Sequence, residues 1–258
     1  MLEDSLTGPY SSFFVLFASL FGVVAIERVF VGARAQVLSL QRWGLGLGLW
    51  ACAVLVFSLL HPVFTALESL FPVWPVIGEL PLFARVVMLF LAADFLHYWL
   101  HRLLHWRGLW DLHAVHHQDR TYSAVTALRF HPLEVLFGAL LRYSVFRMIG
   151  ADDLSALLAA HLITIWNVIQ HAGLIRSGRF SRLLRVFILT PGLHQTHHTA
   201  DAALANRNFG LFLTIWDRLF GTFTPVVKSD MRVGVDGESY SDDMLDALLQ
   251  PVRALMRR

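Results

Sequence analysis

The stretch DFLHYWLHRLLHWRGLWDLHAVHH, residues 94–117, holds His97, His101, His105, His113, His116 and His117, six of the chain's thirteen histidines. About eighty residues on, HQTHH places His194, His197 and His198 at the spacing of His113, His116 and His117. Positions i, i+3 and i+4 share a helix face. His101 therefore projects with His105, and each H-x-x-H-H is expected to turn three imidazoles to one side. Charged imidazoles packed this closely would repel. A metal ion that takes neutral imidazole nitrogen removes the repulsion. A lone histidine on an apolar helix is ordinarily a satisfied core residue, but two such boxes plus an H-R-x-x-H point to a shared metal site.

His101, His105, His113, His116, His117, His194, His197 and His198 make eight ligand candidates, and His171, in WNVIQHAG, makes a ninth. Two octahedral ions offer about twelve positions between them. One ion could not use so many nitrogens, so the count implies a dinuclear centre with a few positions left open. His97, one turn before His101, is either a further ligand or a supporting group. Asp94 is placed to accept an imidazole N–H, and Asn167, one turn before His171, to hold a water or a ligand. His61 and His161 stand alone in apolar runs and are expected to be structural. His131, before Pro132, is expected to start a helix.

Around these motifs the chain is apolar: 258 residues, 56% hydrophobic and only 16% charged. That is too apolar for an ordinary soluble domain, and several runs reach the roughly 20 residues that a membrane-spanning helix takes. The single cysteine, Cys52, excludes an internal disulfide framework, a thiolate zinc site and an iron–sulfur cluster. The first run, Phe13 to Val31, follows Glu3 and Asp4 rather than a basic region, so it is expected as a retained span. The second, Gly44 to Leu67, opens with Gly44, Gly46 and Gly48, small residues suited to close helix contact. The third runs from Leu82 to about Leu100. Pro132 to Ile149 and Leu154 to Ala172 form another apolar pair around Gly150, the first short, carrying Arg142 and Arg147, and so tilted or partly interfacial.

Arg28, Arg34 and Arg42 cluster between the first two spans, whereas the Pro-rich loop near residues 68–81 carries Glu68 and Glu79 and no Lys or Arg. By the positive-inside rule the first of these loops is cytoplasmic. Parity then brings His171, His194, His197 and His198 to the same side as residues 101–117, and Arg176, Arg179, Arg182 and Arg185 agree. The arginines recurring from Ser177 to Leu189 suit either an amphipathic helix on anionic lipid or a basic flank that enforces topology. A tail helix is expected from Ser241 to Arg258, with Asp242 and Asp243 at its start. The expected fold is an all-α integral membrane protein. It has about four transmembrane helices in two hairpins and a cytoplasmic, histidine-rich helical catalytic cap.

HRLLH (101–105), HAVHH (113–117) and HQTHH (194–198) resemble the motifs of the fatty acid hydroxylase/sterol desaturase superfamily. So do the flanking DFLHYWLHR, LWDLH and RFHPLE, and the run NRNFGLFLTIWDRLFGTF that follows the third box. The resemblance covers roughly residues 82–225. It divides the chain into an N-terminal transmembrane hairpin and outer loop (1–81), a di-iron catalytic domain (82–225) and a cytoplasmic C-terminal tail (226–258). It implies a membrane oxygenase that uses dioxygen and two electrons to hydroxylate or desaturate lipid-like or sterol-like substrates. Two iron ions would be held by His101, His105, His113, His116, His117, His171, His194, His197 and His198. Fatty acid 2-hydroxylases resembling this family carry a histidine where this chain has Asn167, and space the first box one residue wider. The departure points toward the sterol-desaturase branch. No electron-transfer module is recognisable in the chain, so a separate donor (a reductase, ferredoxin or cytochrome) is expected, and nothing calls for nucleic acid. The alternative from another class is a membrane haem or metal-binding electron-transfer protein without oxygenase activity. Crowding of neighbouring imidazoles around one porphyrin weighs against it.

Overall fold

The computed structural model describes residues 11–31, 39–68, 72–174, 179–227, 231–236 and 242–256. Residues 1–10, Arg34, Arg176 and Ser177 lie outside the described residues, so two of the arginines used for orientation go without a structural account. The elements are helical throughout the described residues, with two isolated bridges, Ile188 with Leu213 and Thr199 with Val233, as the only β pairings. In order they are α1 (Ser11–Val31), α2 (Leu40–Glu68), α3 (Leu82–Leu104), α4 (Trp110–His117), a 3-10 turn (Ala124–Leu128), α5 (Pro132–Met148), α6 (Asp153–Gln170), α7 (Arg179–Phe187), α8 (Pro191–His197), α9 (Ala202–Ala205), α10 (Ile215–Leu219) and α11 (Met244–Met256).

Among the described residues four helices are long and apolar enough to cross a membrane: α1, α2 over Leu40–Ala66, α3 and α6. The chain is thus an all-α, multi-pass membrane protein. Phe14, Phe21, Leu59 and Phe83 stay exposed on these helices, as lipid-facing side chains do. Helix α5 falls outside that set because of its 17-residue length and its arginines. At about 1.5 Å per residue it still reaches roughly 26 Å, and it packs against α2 and α3.

Local chemistry sets the boundaries. His131 caps α5, its side chain accepting from the Leu133 amide, with Pro132 in the first turn where a missing N–H costs nothing. Asp152 caps α6 by accepting from the Ser155 amide at 3.0 Å. Between them Gly150 adopts φ +83°, and a side chain there would meet the Cα of Pro75 at 2.7 Å. The α5–α6 turn therefore packs on the Pro-rich loop, and Arg85 pairs with Asp152 at 3.0 Å. At the opposite end of the bundle lie the close of α1, the start of α2, the end of α3, the start of α5 and the end of α6.

Three apolar clusters join the parts. Leu20 and Val24 of α1 pack on Val125 and Leu128 of the 3-10 turn and on Val168 of α6. Leu89 and Ala93 of α3 meet Phe146 and Ala159. Leu45 and Leu49 of α2 meet Val115 of α4 and Ala247 of α11. The glycines of α2 do not bring two spans together, as their spacing suggested. Gly44 faces open space, Gly46 lies where a side chain would stand 2.9 Å from Leu128, and Gly48 approaches Met244. Small residues here admit the cap and the tail helix to α2. The tail is accordingly part of the packed body: Arg129 pairs with Asp242, and the Leu248 carbonyl accepts from His131 Nε2 at 3.3 Å.

Two buried acids within or beside the spans tie the ends together. Glu27 of α1 accepts from the amides of Ala124 and Gly173. Asp119, just after the second box, takes the Arg42 guanidinium through both oxygens, at 2.6 and 3.2 Å. Arg42 also donates to the Thr121 carbonyl. An arginine read from sequence as a marker of topology thus forms a buried ion pair in the cap.

Candidate metal centre

The end of α3, helix α4, the residues after α6 and helix α8 converge, and their histidines separate into two groups. His101, His105, His113, His117 and His197 form the first; His116, His171, His194 and His198 form the second, and within each group the ligand atoms all lie within 4.8 Å of one another. Every residue of the two groups is buried except the half-buried His105. The three histidines of each box share a face, as the spacing requires, but they do not serve one ion. On a helix the i and i+4 side chains point within about 40° of each other and i+3 turns off to the other side. So His113 and His117 enter the first group and His116 the second. In the third box His194 and His198 enter the second group and His197 the first. Each box supplies a pair to one position and a single nitrogen to the other. The rings of His117 and His198 stack across the boundary at 4.4 Å.

The nitrogens facing one another are the Nε2 atoms. Across each pair they lie 3.0 Å apart for His116 and His171, 3.0 Å for His171 and His194, 3.2 Å for His194 and His198, 3.1 Å for His113 and His117, and 3.3 Å for His105 and His117. Neighbouring ligands at right angles, each about 2.1 Å from one ion, stand about 3.0 Å apart. The Nδ1 atoms point outward. His101 donates to the Phe209 carbonyl (2.9 Å), His116 to that of Arg129 (3.2 Å), His171 to that of Asn167 (2.7 Å) and His197 to that of Arg207 (2.8 Å). A carbonyl only accepts, so these rings carry their proton on Nδ1 and leave Nε2 as a bare lone pair. His116 and His171 then aim two lone pairs at each other across 3.0 Å. No hydrogen bond satisfies that contact; a cation does. The Nε2 atoms of His101 and His197 are buried with no partner among the described residues.

Burial holds His105, His113, His116, His117, His194, His197 and His198 well below the usual imidazole range, with neighbouring imidazoles adding to the effect. It lowers His171 to about 4. The donor set is therefore neutral, all-nitrogen and preformed, and it fits a pair of divalent transition-metal ions. Five nitrogens in the first group and four in the second leave roughly one and two positions of an octahedron open.

The supporting shell differs between the groups. Glu134 accepts from His113 Nδ1 at 2.8 Å, and Asn206 faces His105 Nδ1 at 3.2 Å. The Nδ1 atoms of His194 and His198 are buried without a partner among the described residues, so the first group is the better braced. Asp94 does not reach an imidazole. Two helical turns before His101, it accepts from the amides of Phe212 (2.7 Å) and Leu213 (3.2 Å) and from Trp216 Nε1 (2.8 Å). It thereby fixes the segment whose Phe209 carbonyl orients His101. Asn167 acts through its backbone carbonyl, while its side chain donates to the Ala127 carbonyl at 3.4 Å. His97 stands outside both groups with its ring 5.2 Å from that of His101. His131 caps α5, His161 is buried in α6, and His61 lies exposed on α2. Sequence reasoning missed Glu134, although it sits in the RFHPLE run that follows the second box, and it gave Glu27 no role.

A family model for fatty acid hydroxylase matches residues 86–222. An ornithine lipid hydroxylase, OlsE, of Rhizobium tropici is 32% identical over 181 residues, 69% of this chain and 53% of that protein. An alkylglycerol monooxygenase of Danio rerio is 31% identical over 137 residues, 53% of this chain and 30% of that protein. A lathosterol oxidase of Rattus norvegicus is 29% identical over 148 residues, 57% of this chain and 47% of that protein. The chain thus spans about half or less of the length of these relatives. No solved structure matches it.

Proposed function

The chain belongs to the fatty acid hydroxylase family, and from that membership we propose that it is a membrane-bound, non-haem di-iron oxygenase acting on a lipid or sterol-like substrate. The single observation that carries the metal is the facing pair of His116 and His171 Nε2 lone pairs at 3.0 Å. We assign the ligands as His101, His105, His113, His117 and His197 for one iron, and His116, His171, His194 and His198 for the other. When bound, the iron pair supplies the oxidising power that an unactivated C–H bond demands, with dioxygen as co-substrate.

The chain's own residues do the rest. The carbonyls of Phe209, Arg129, Asn167 and Arg207, with Glu134, keep each imidazole in one tautomer and one orientation. Asp94 and Glu27 hold the segments that carry those groups. Burial excludes bulk water, while α3 and α6 lead from the bilayer to the histidines, so an apolar chain can arrive sideways from lipid. We assign the chemistry to residues 82–225, with 1–81 as membrane hairpin and outer loop and 226–258 as a bracing tail. Arg179, Arg182 and Arg185, close to the histidine end in sequence, support a cytoplasmic face for the site, where a separate reductase, ferredoxin or cytochrome would deliver electrons. The relatives' names cover a lipid hydroxylase, an alkylglycerol monooxygenase and a sterol oxidase. Hydroxylation and desaturation therefore both stand as outcomes.

Lipids from cells expressing the chain, compared by mass spectrometry with those from cells expressing His113→Ala, test the proposal. An added oxygen atom or a lost pair of hydrogens, present only with the unaltered chain, supports it and identifies the substrate. Indistinguishable lipids, or active purified protein that contains no iron, would overturn it.

A further inference from the structure

Beside the first histidine group, on its membrane side, two polar side chains lack a partner. Arg142 lies in the middle of α5, half-buried, and no carboxylate or carbonyl among the described residues pairs with its guanidinium. His97, one turn before His101, is also half-buried; it makes a ring contact with His101 and no hydrogen bond among the described residues. His97 stands three residues before Leu100, on the same face of α3, and Leu100 borders Gly138 together with Arg142. Arg142 lies across Gly138 at the α3–α5 seam. A side chain at Gly138 would stand 3.2 Å from Arg142 Nη1 and 3.5 Å from Leu100 Cδ2. The guanidinium is therefore level with Leu100, the residue before His101.

The direction of this arginine has a physical cause. Helical side chains tilt toward the N-terminus of their helix, and α5 starts at the histidine end. The nearer end of α5 is Met148, six residues or about 9 Å away, against ten residues or about 15 Å to Pro132. A charge seeking only the closest water boundary would turn toward Met148; this one turns toward the metal centre. A lone cation within an apolar bundle is costly, and the missing side chain of Gly138 is what lets the guanidinium lie beside Leu100.

We infer that Arg142 and His97 bind an anionic oxygen group, a carboxylate or a phosphate monoester, at the head of an amphiphilic substrate. A guanidinium fork takes two oxygens at once, and His97 offers one further donor. With the head held there, the carbons next to the anionic group, rather than the methyl end of the chain, lie beside the first histidine group. The inference rests on the oxygenase reading of that group, and it narrows the substrate class.

The test uses the full-length, iron-loaded protein in nanodiscs of phosphatidylcholine and measures equilibrium binding of radiolabelled palmitic acid, palmitoyl lysophosphatidic acid and hexadecanol. The expected result is that at least one acid binds about tenfold or more tightly than the neutral alcohol, as one charge-assisted hydrogen bond implies. Preference for palmitic acid alone assigns the group as a carboxylate; preference for the phosphate alone assigns the other source. Arg142→Gln should erase the preference with iron content unchanged. Gly138→Val, which crowds the guanidinium away from Leu100, should weaken acid binding while iron stays bound, and it decides the matter should Arg142→Gln fail to retain iron. Equal binding of acids and alcohol by the unaltered protein, or an acid preference that survives either substitution, would overturn the inference. Selective acid binding without lipid oxidation would leave this site standing and remove the oxygenase reading; lipid oxidation without an Arg142-dependent preference would do the reverse.

Discussion

Glu134 gives the sharpest quantitative test of the metal centre, because among the described residues it is the one carboxylate that touches a candidate ligand. Its Oε1 accepts from His113 Nδ1 at 2.8 Å, with side-chain exposures of 3% for His113 and 8% for Glu134. The other outward-facing nitrogens with partners meet neutral carbonyl or amide oxygens. Burial pushes the Glu134 carboxyl well above the usual carboxylate range, so it is charged where a metal cation on His113 stands beside it, and a hydrogen bond to a charged group contributes about 1.5–3 kcal/mol. Each 1.4 kcal/mol is tenfold in affinity, so Glu134→Ala should weaken one of the two ions by about 10–100-fold, the range typical of groups that support metal ligands. Glu134→Gln keeps an acceptor oxygen without its charge and should fall near the tenfold end. The polypeptide should lose less than the metal does, because Oε2 of Glu134 is buried without a partner among the described residues. Iron per chain, followed against chelators of increasing strength, reads the effect directly. The expected trace shows one ion released at weaker chelation while the second lags. Retention of both ions by Glu134→Ala at wild-type affinity would refute the reasoning.

His197→Ala should abolish turnover and lower bound iron, since it removes a buried Nε2 from the first group, whereas His61→Ala, exposed on α2, should change neither; elemental analysis and lipid turnover check both. Acid should strip the metal. Burial holds His171 at about 4 and the other ligands outside the spans well below the ordinary 6.5, so the folded state stays neutral where the unfolded chain takes up protons. Stability and iron binding are then full above about pH 6.5 and decline as pH falls toward about 4; flat iron retention across that window contradicts the assignment. Arg42→Ala strands Asp119 in a buried setting, with side-chain exposures of 5% and 2% in the intact pair. It should cost about 3–5 kcal/mol, visible as a lowered thermal midpoint in detergent with the histidines untouched. An unchanged midpoint would mean that water replaces the arginine.

The histidine boxes were legible because helical spacing alone brings i, i+3 and i+4 together, and the apolar runs because length and composition suffice to mark a span. The assignment of ligands to ions was not. His116 and His117 are adjacent in sequence and belong to different groups, a split set by the rotation of α4 about its axis. Glu134 and Glu27 act on partners 21 and 97 residues away, separations for which a single sequence carries no periodic signal. Asp94 lies on the histidine stripe but meets the 212–216 segment first, so proximity in sequence suggested the wrong recipient. The glycines of α2 announced a close approach, yet not what approaches. The reach of α11 back to the second box was hidden in a segment whose composition marked only a tail.

That reach has a bearing on how the molecule is made. Arg129 and His131 find Asp242 and Leu248 across separations of 113 and 117 residues. During synthesis the membrane-embedded helices are therefore in place long before the tail emerges. Until then the segment after the second box lacks its brace. The fold thus gives the histidine centre an order of assembly, in which its surroundings are completed only after the lipid-facing body is already threaded.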